Sequence, residues 1–201
     1  FCAGADFAAV SGPKGVDFLP AFERMLATLA HHRLPTIARV QGAALGGGLQ
    51  LATVCDFRVV AHDAKLGIPS SKLGVVVNLE NVERLVNLVG IGPAKEILMA
   101  GRTVVGDEAR ELGLATMVAE KGALDGAVEQ LAGEIASLAP LSVQGAKRAI
   151  QALSDQRAVR RGNPELAVEI DALVAKAYAS EDLAEGVRAM REQRPAEFKG
   201  R

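Results

Sequence analysis

The apolar positions change period several times along the chain, and each change marks an element. Phe1 to Phe7 is short, small and glycine-containing, a strand end running into a turn, and residues 11–15 (Ser-Gly-Pro-Lys-Gly) form a loop. Over residues 16–32, Phe18, Phe22, Met25, Leu26 and Leu29 recur at i, i+4, i+7, i+8 and i+11, which predicts an amphipathic helix closed by Pro35. Residues 36–41 read as a buried strand, a glycine loop follows, and residues 49–55 continue as a helix. Residues 56–61 and 65–68 are strand-like and joined by a short polar turn. A loop over 69–74 and the β-branched Val75 to Val77 lead into a helix at Leu79–Val89, with Leu79, Val82, Leu85, Val86 and Val89 on one face. Residues 93–99 predict a short helix and 101–103 a turn. Asp107 caps a helix over 108–112 that Gly113 ends, and 115–118 is the last strand. Beyond it the pattern is only helical, over residues 123–138, 141–153, 163–179 and 181–191. Strand–turn–helix units followed by a helical tail predict an α/β core with an α-helical C-terminal extension.

Composition narrows the class of partner. The 201 residues are 49% hydrophobic and 23% charged, enough to bury a core and unlike a disordered chain. A net charge of −1 gives no electrostatic reason to expect nucleic acid or an anionic membrane. There is no apolar run of transmembrane length and no charged-then-apolar leader, so no membrane partner is expected. Two cysteines, Cys2 and Cys55, fit a reducing compartment and lack metal-ligand spacing; the three histidines are scattered, so no metal site is expected. A cytoplasmic location follows. A mitochondrial one stays open, because the chain starts at Phe1 without a Met.

The chemistry centres on Gly46-Gly47-Gly48, which end a loop and lead directly into a helical pattern. Such glycines let a backbone approach closely and present unpaired amides, suited to phosphate or to a developing oxyanion. A Walker loop, a dinucleotide fingerprint and a Gly-x-Ser-x-Gly elbow are all absent. The glycines alone leave phosphate binding, oxyanion binding and tight helix–strand packing open.

An ordered set of further matches bears on that choice. It comprises Phe1-Cys2-Ala3-Gly4-Ala5-Asp6-Phe7, Phe57-Arg58-Val59-Val60-Ala61, Ala64-Lys65-Leu66-Gly67-Ile68-Pro69 and Lys72-Leu73-Gly74. Later come Val89-Gly90, Ala94, Ala109, Glu111-Leu112-Gly113-Leu114, Glu185-Gly186, Arg194-Pro195 and Phe198. Together they resemble the enoyl-CoA hydratase/isomerase (crotonase) family over essentially the whole chain. The resemblance implies a spiral of β-β-α units over residues 1–136 and an α-helical C-terminal oligomerisation region over 137–201. It implies a homotrimer or dimer of trimers. It also implies core strands and part of the coenzyme A site ahead of the Ala5 segment. The partner it implies is an acyl-CoA thioester, with no separate cofactor because coenzyme A is part of the substrate. The thioester carbonyl would be polarised between the amides of Ala5 and Gly47, and one such donor contributes roughly 3–4 kcal/mol to an enolate-like transition state. Acyl-CoA contacts would fall on Ala3, Asp6, Phe7, Leu45 and Gly46. Others would come from Gln50, Pro69, Ser70, Leu73 and Asn78, and the nucleotide end would approach Phe198 and Lys199.

The sequence departs from the family where protons move. Hydratases of the family use two glutamates, and the matching positions here are Gln50 and Ser70. An amide can hold a water but cannot take its proton, and a serine hydroxyl is a poor base without help. A carboxylate position used by some family isomerases is Asn78 here. Glu80 and Glu83 lie nearby at i, i+3, with Glu80 the better catalytic candidate and a helix N-terminus favouring the same charges structurally. His31 and His32 suit a helix end, His62 a polar turn, the cysteines a buried setting, and Asp6 the orientation of its turn. The expectation is an acyl-CoA enzyme acting through a stabilised enolate, with conventional two-glutamate hydration doubtful. The alternative is a non-catalytic acyl-CoA-binding or structural subunit of the same fold.

Overall fold

In a computed structural model that describes residues 1–6, 15–157 and 164–200, two three-stranded sheets carry the core. The first elements are α1 (Gly15–Ala30), β1 (Ile37–Val40), β2 (Ala43–Leu45), α2 (Gly47–Thr53), β3 (Phe57–Ala61) and β4 (Lys65–Gly67). A single 3₁₀ turn, Ser70–Lys72, precedes α3 (Leu79–Val89) and α4 (Ile91–Leu98). Then come β5 (Thr103–Val105), α5 (Gly106–Glu111) and β6 (Met117–Ala119). The chain ends in α6 (Leu124–Ala136), α7 (Pro140–Arg157), α8 (Pro164–Tyr178) and α9 (Glu181–Glu192). Phe7 falls outside the described residues, as does Asn163, the expected start of a helix.

One sheet is parallel throughout, in the order β1-β3-β6, with Ile37 opposite Phe57 and Val59 opposite Met117. The central strand, β3, is buried from Arg58 to Ala61, as a parallel strand covered on both faces must be. Its one charged member is satisfied locally: Arg58 Nε donates to the Leu114 carbonyl at 2.7 Å and Nη1 to the Cys55 carbonyl at 2.8 Å. Burial nevertheless pulls the guanidinium pKa below its ordinary value.

The second sheet, β2-β4-β5, is mixed, with β2 parallel and β5 antiparallel to β4. Two of its strands are not predicted by the pattern. Ala43-Ala44-Leu45 was expected to be loop, and it carries neither alternation nor β-branched residues. It is a strand because partners lie on both sides. Cys2 N donates to the Ala43 carbonyl at 2.8 Å and Leu45 N to the Cys2 carbonyl at 3.0 Å. On the other edge Gly46 N donates to the Gly67 carbonyl at 2.9 Å. Likewise Thr103, expected in a turn, starts β5. The α2 helix begins at Gly47, two residues before its apolar pattern, with Gly46 as N-cap at φ 54°. In α5 the N-cap is Val105, and Asp107, expected to cap, sits inside the first turn.

Leu26, Leu49, Leu66, Leu85, Ile97 and Leu114 are fully buried, each contributing about 1.5–3 kcal/mol on burial. Helices α7 and α8 look different: Leu141 is 88%, Ile150 67% and Val168 68% exposed. Among the described residues no helix is long and apolar enough to cross a membrane. The two cysteines, expected to be buried, are partly buried free thiols.

Candidate active site

The glycines at the start of α2 let two stretches of backbone lie against each other. A Cβ placed on Gly48 would stand 1.9 Å from the Cys2 carbonyl oxygen. One on Gly4, whose φ is 104°, would stand 2.9 Å from the Leu45 carbonyl oxygen. No side chain fits at either position. This contact brings residues 4 and 5 beside residues 45–47, so that a Cβ built on Gly47 would lie 3.9 Å from the Ala5 nitrogen. Leu49 N and Gln50 N both donate to the Gly46 carbonyl at 3.1 Å, so the Gly47 amide precedes the first intrahelical bond. Two neighbouring backbone donors of this kind suit an oxygen that carries negative charge.

Ala5 and Gly47 open onto a cavity of about 810 Å³. Of the expected contacts, Ala3, Leu45, Gly46, Gln50, Pro69, Ser70, Leu73, Asn78 and Glu80 all line it. One wall is apolar, formed by Val75, Val76 and Val77 and by the stacked rings of Phe18 and Phe22, whose centroids are 5.5 Å apart. Phe22 also reaches the glycine turn: its Cζ lies 3.2 Å from the position of a Gly47 Cβ. Helix α1 therefore borders the donor pair directly. Pro20 lies inside that helix and lines the cavity as well.

Asn78 has a structural role in addition to its place in the wall. It is the N-cap of α3, its Oδ1 accepting from Asn81 N at 3.1 Å. Glu80 occupies the first turn of that helix, where a negative charge suits the axial dipole.

Five polar residues in the wall were not anticipated: Glu23, Asn81, Arg84, Asp171 and Tyr178. Asn81, 4% exposed, donates from Nδ2 to Glu23 Oε1 at 2.7 Å and to Asn78 Oδ1 at 2.8 Å. Arg84 Nη1 donates to Asn81 Oδ1 at 2.7 Å and stands 3.7 Å from Glu23 Oε2. Tyr178, from α8, lines the same cavity; burial, and then the charge of Glu23, push its phenol pKa up and keep it protonated. In the sequence Glu23 is one polar residue on an amphipathic helix, and Asn81 interrupts an apolar face one position before Val82. Neither signal joins residues 58 apart.

Other expected residues lie elsewhere. Asp6 follows the donor Ala5 and is not in the cavity wall, and Phe7 is outside the described residues. Lys199 lines a separate depression with Asp182, Glu185 and Arg194, its backbone amide donating to Asp182 Oδ1 at 2.6 Å. Phe198 next to it is 43% exposed. His31 follows the last residue of α1, with Nδ1 2.8 Å from the Ala27 carbonyl, and His62 is exposed. Among the described residues no group of three His, Cys, Asp or Glu side chains is placed to hold a metal ion.

An α/β core with two neighbouring backbone amides at a largely apolar cavity is an arrangement suited to a polarised carbonyl oxygen. The chain belongs to the enoyl-CoA hydratase/isomerase family, whose model matches residues 1–201. It is 34% identical over 207 residues to human mitochondrial methylglutaconyl-CoA hydratase, covering all of this chain and 60% of that protein. The chain thus spans less than two thirds of the length of that relative. Among solved structures it superposes on a methylmalonyl-CoA decarboxylase in complex with 2-nitronate-propionyl-CoA. That match has a TM-score of 0.88 and 24% identity, and covers 100% of this chain and 77% of the other. An enoyl-CoA hydratase/carnithine racemase from Magnetospirillum magneticum gives 0.74 at 30% identity, over 100% of this chain and 74% of the other. The fold is the crotonase fold.

Proposed function

We propose that the chain binds an acyl-CoA thioester in the 810 Å³ cavity and stabilises its enolate between the amides of Ala5 and Gly47. The observation that carries this reading is the pair of backbone donors, brought together by the Gly4 and Gly48 contacts and open to a largely apolar chamber. The names of two relatives support the substrate class, since a methylglutaconyl-CoA hydratase and an enoyl-CoA hydratase/carnithine racemase are each named for a coenzyme A ester. Coenzyme A arrives as part of the substrate, so no separate cofactor is required.

Gln50 and Ser70 stand in the wall where hydration by two carboxylates would need bases. The reaction is therefore isomerisation, a retro-aldol or decarboxylative step, or hydration with another route for the proton. A homotrimer or dimer of trimers is the proposed assembly, and the exposed Leu141, Ile150 and Val168 are apolar surface that such an assembly would cover. The second reading, a non-catalytic acyl-CoA binder, is favoured by the same Gln50, Ser70 and Asn78.

Gly47→Val decides between them. Its side chain would press on Phe22 and intrude beside Ala5 N. Turnover of crotonyl-, 3-enoyl- or malonyl-type thioesters should fall roughly 10²–10³-fold, the effect of losing one oxyanion donor. Tight binding of these esters by the unaltered protein with no turnover of any would establish the binder instead.

A further inference from the structure

The cavity wall formed by α1 holds a carboxylate whose surroundings differ from those of an ordinary surface glutamate. Glu23 projects from α1, one residue after the Phe22 ring that borders Gly47. Its side chain keeps 26% of its surface open, and the residue lines the cavity. Oε1 is fixed by Asn81 Nδ2 at 2.7 Å. Asn81 is itself held three further times, by its backbone amide and Nδ2 on Asn78 Oδ1 and by Arg84 on its own Oδ1. A buried amide satisfied on every side has one available orientation, so it sets the rotation of the carboxylate. Oε2 has Arg84 at 3.7 Å, beyond hydrogen-bond length, so Arg84 does not occupy its lone pairs. Glu80 and Asp171 also line the cavity. Glu80 is in the first turn of α3, where the helix end already accounts for its charge, and Asp171 is exposed.

We infer that Glu23 is the catalytic residue that moves the proton, oriented by Asn81 and Arg84 as positioning residues. The inference rests on the thioester reading above. The Glu23 carboxylate takes the proton from the carbon next to the thioester carbonyl. The electron pair of that C–H bond becomes the enolate double bond, and the carbonyl π pair moves onto the oxygen between Ala5 N–H and Gly47 N–H. Return of the proton from Glu23 to the same carbon restores the ester. Its return two carbons further along a 3-enoyl chain moves the double bond into conjugation. No water, oxidant or second substrate enters, so glutamine at position 50 and serine at position 70 do not obstruct the step.

The probe is 3-hexenoyl-CoA in D₂O, with α-deuterium uptake followed by mass spectrometry, conjugated product by absorbance, and binding by calorimetry. The unaltered protein should exchange the α-proton. Glu23→Gln, which keeps an oxygen for Asn81, should lose exchange by about 10²-fold or more while binding stays within about threefold. Glu23→Asp retains a carboxylate one methylene further back and should recover part of the rate, which a merely structural glutamate would not require. Exchange in Glu23→Gln within about threefold of the unaltered protein overturns the inference, as does loss in Glu80→Gln without loss in Glu23→Gln. Should the unaltered protein bind the ester and exchange nothing, the thioester-enolate reading itself fails, and the role of Glu23 with it.

Discussion

On one side of the cavity the donors are the amides of Ala5 and Gly47, placed by backbone lying on backbone. The same cavity is also lined by the side chains of Glu23, Asn81 and Arg84, placed by the packing of α1 and α3. The first wall depends on what is missing from residues 4, 47 and 48, since any side chain at Gly48 would occupy the Cys2 carbonyl. The second depends on what is present, because each member is held by a specific hydrogen bond. Substitutions that change carboxylates to amides or hydroxyls, as at positions 50 and 70, leave the first wall intact. A family can therefore keep its means of binding a thioester while its proton chemistry moves to another helix.

The contrast can be broken most severely at Gly48. Gly48→Ala puts a methyl group 1.9 Å from the Cys2 carbonyl oxygen, so the segment carrying Ala5 must shift or the protein must unfold. We expect a loss of about 3 kcal/mol in denaturant unfolding, with thioester binding lost in whatever remains folded. Preserved binding and stability would show that the two backbone segments do not depend on each other.

A milder change separates the walls. Asn81→Leu removes the donor to Glu23 and one partner each from Asn78 and Arg84. It should cost about 1–3 kcal/mol of stability. Thioester affinity should hold, since the Ala5 and Gly47 amides are untouched. Equal loss of affinity in a titration would mean the walls act as one unit.

Glu185 supplies a carboxylate with a different purpose for comparison. It accepts from Arg194 at 2.6 Å, from the Glu197 amide at 3.1 Å and from Arg188, pinning the chain end, and these bonds hold its pKa well below the usual glutamate range. A depressed folded pKa means stability that is complete above the ordinary carboxylate range and drains away as pH falls through the folded value. Acid titration of the melting temperature should show this slope, and Glu185→Gln should flatten it. An unchanged slope would mean that other carboxylates carry the acid response.

The smallest expected effect is at Cys55. Burial raises its thiol pKa, with Thr36 and Arg58 opposing, so the folded state keeps it protonated. Above the ordinary thiol pKa the unfolded chain ionises first, and stability falls slightly as pH rises. Cys55 should react slowly with a maleimide until the protein is unfolded; fast labelling in the native state would contradict this.

Local chemistry is what the sequence makes legible. The α3 helix shows its boundaries at Leu79–Val89 because an apolar stripe runs its length, while the Asn78 cap became visible only in the structure. The glycine triplet, with the ordered matches around it, pointed to Ala5, Gly47 and the part of the cavity wall nearest them. Strand β2 was hidden, because Ala43-Ala44-Leu45 has no pattern of its own and becomes a strand only when Cys2 and β4 flank it.

The same division runs through the candidate site. Sequence by itself determined the composition of the glycine turn and the absence of carboxylates at positions 50, 70 and 78, since those are matters of which residue stands where. Only the tertiary structure decided that Glu23 joins Glu80 and Asp171 in the cavity wall. Glu23 and Asn81 are ordinary polar residues on separate amphipathic helices until packing sets Nδ2 2.7 Å from Oε1. Helical periodicity reports which face a residue is on, and it carries no information about what the opposing helix will present there.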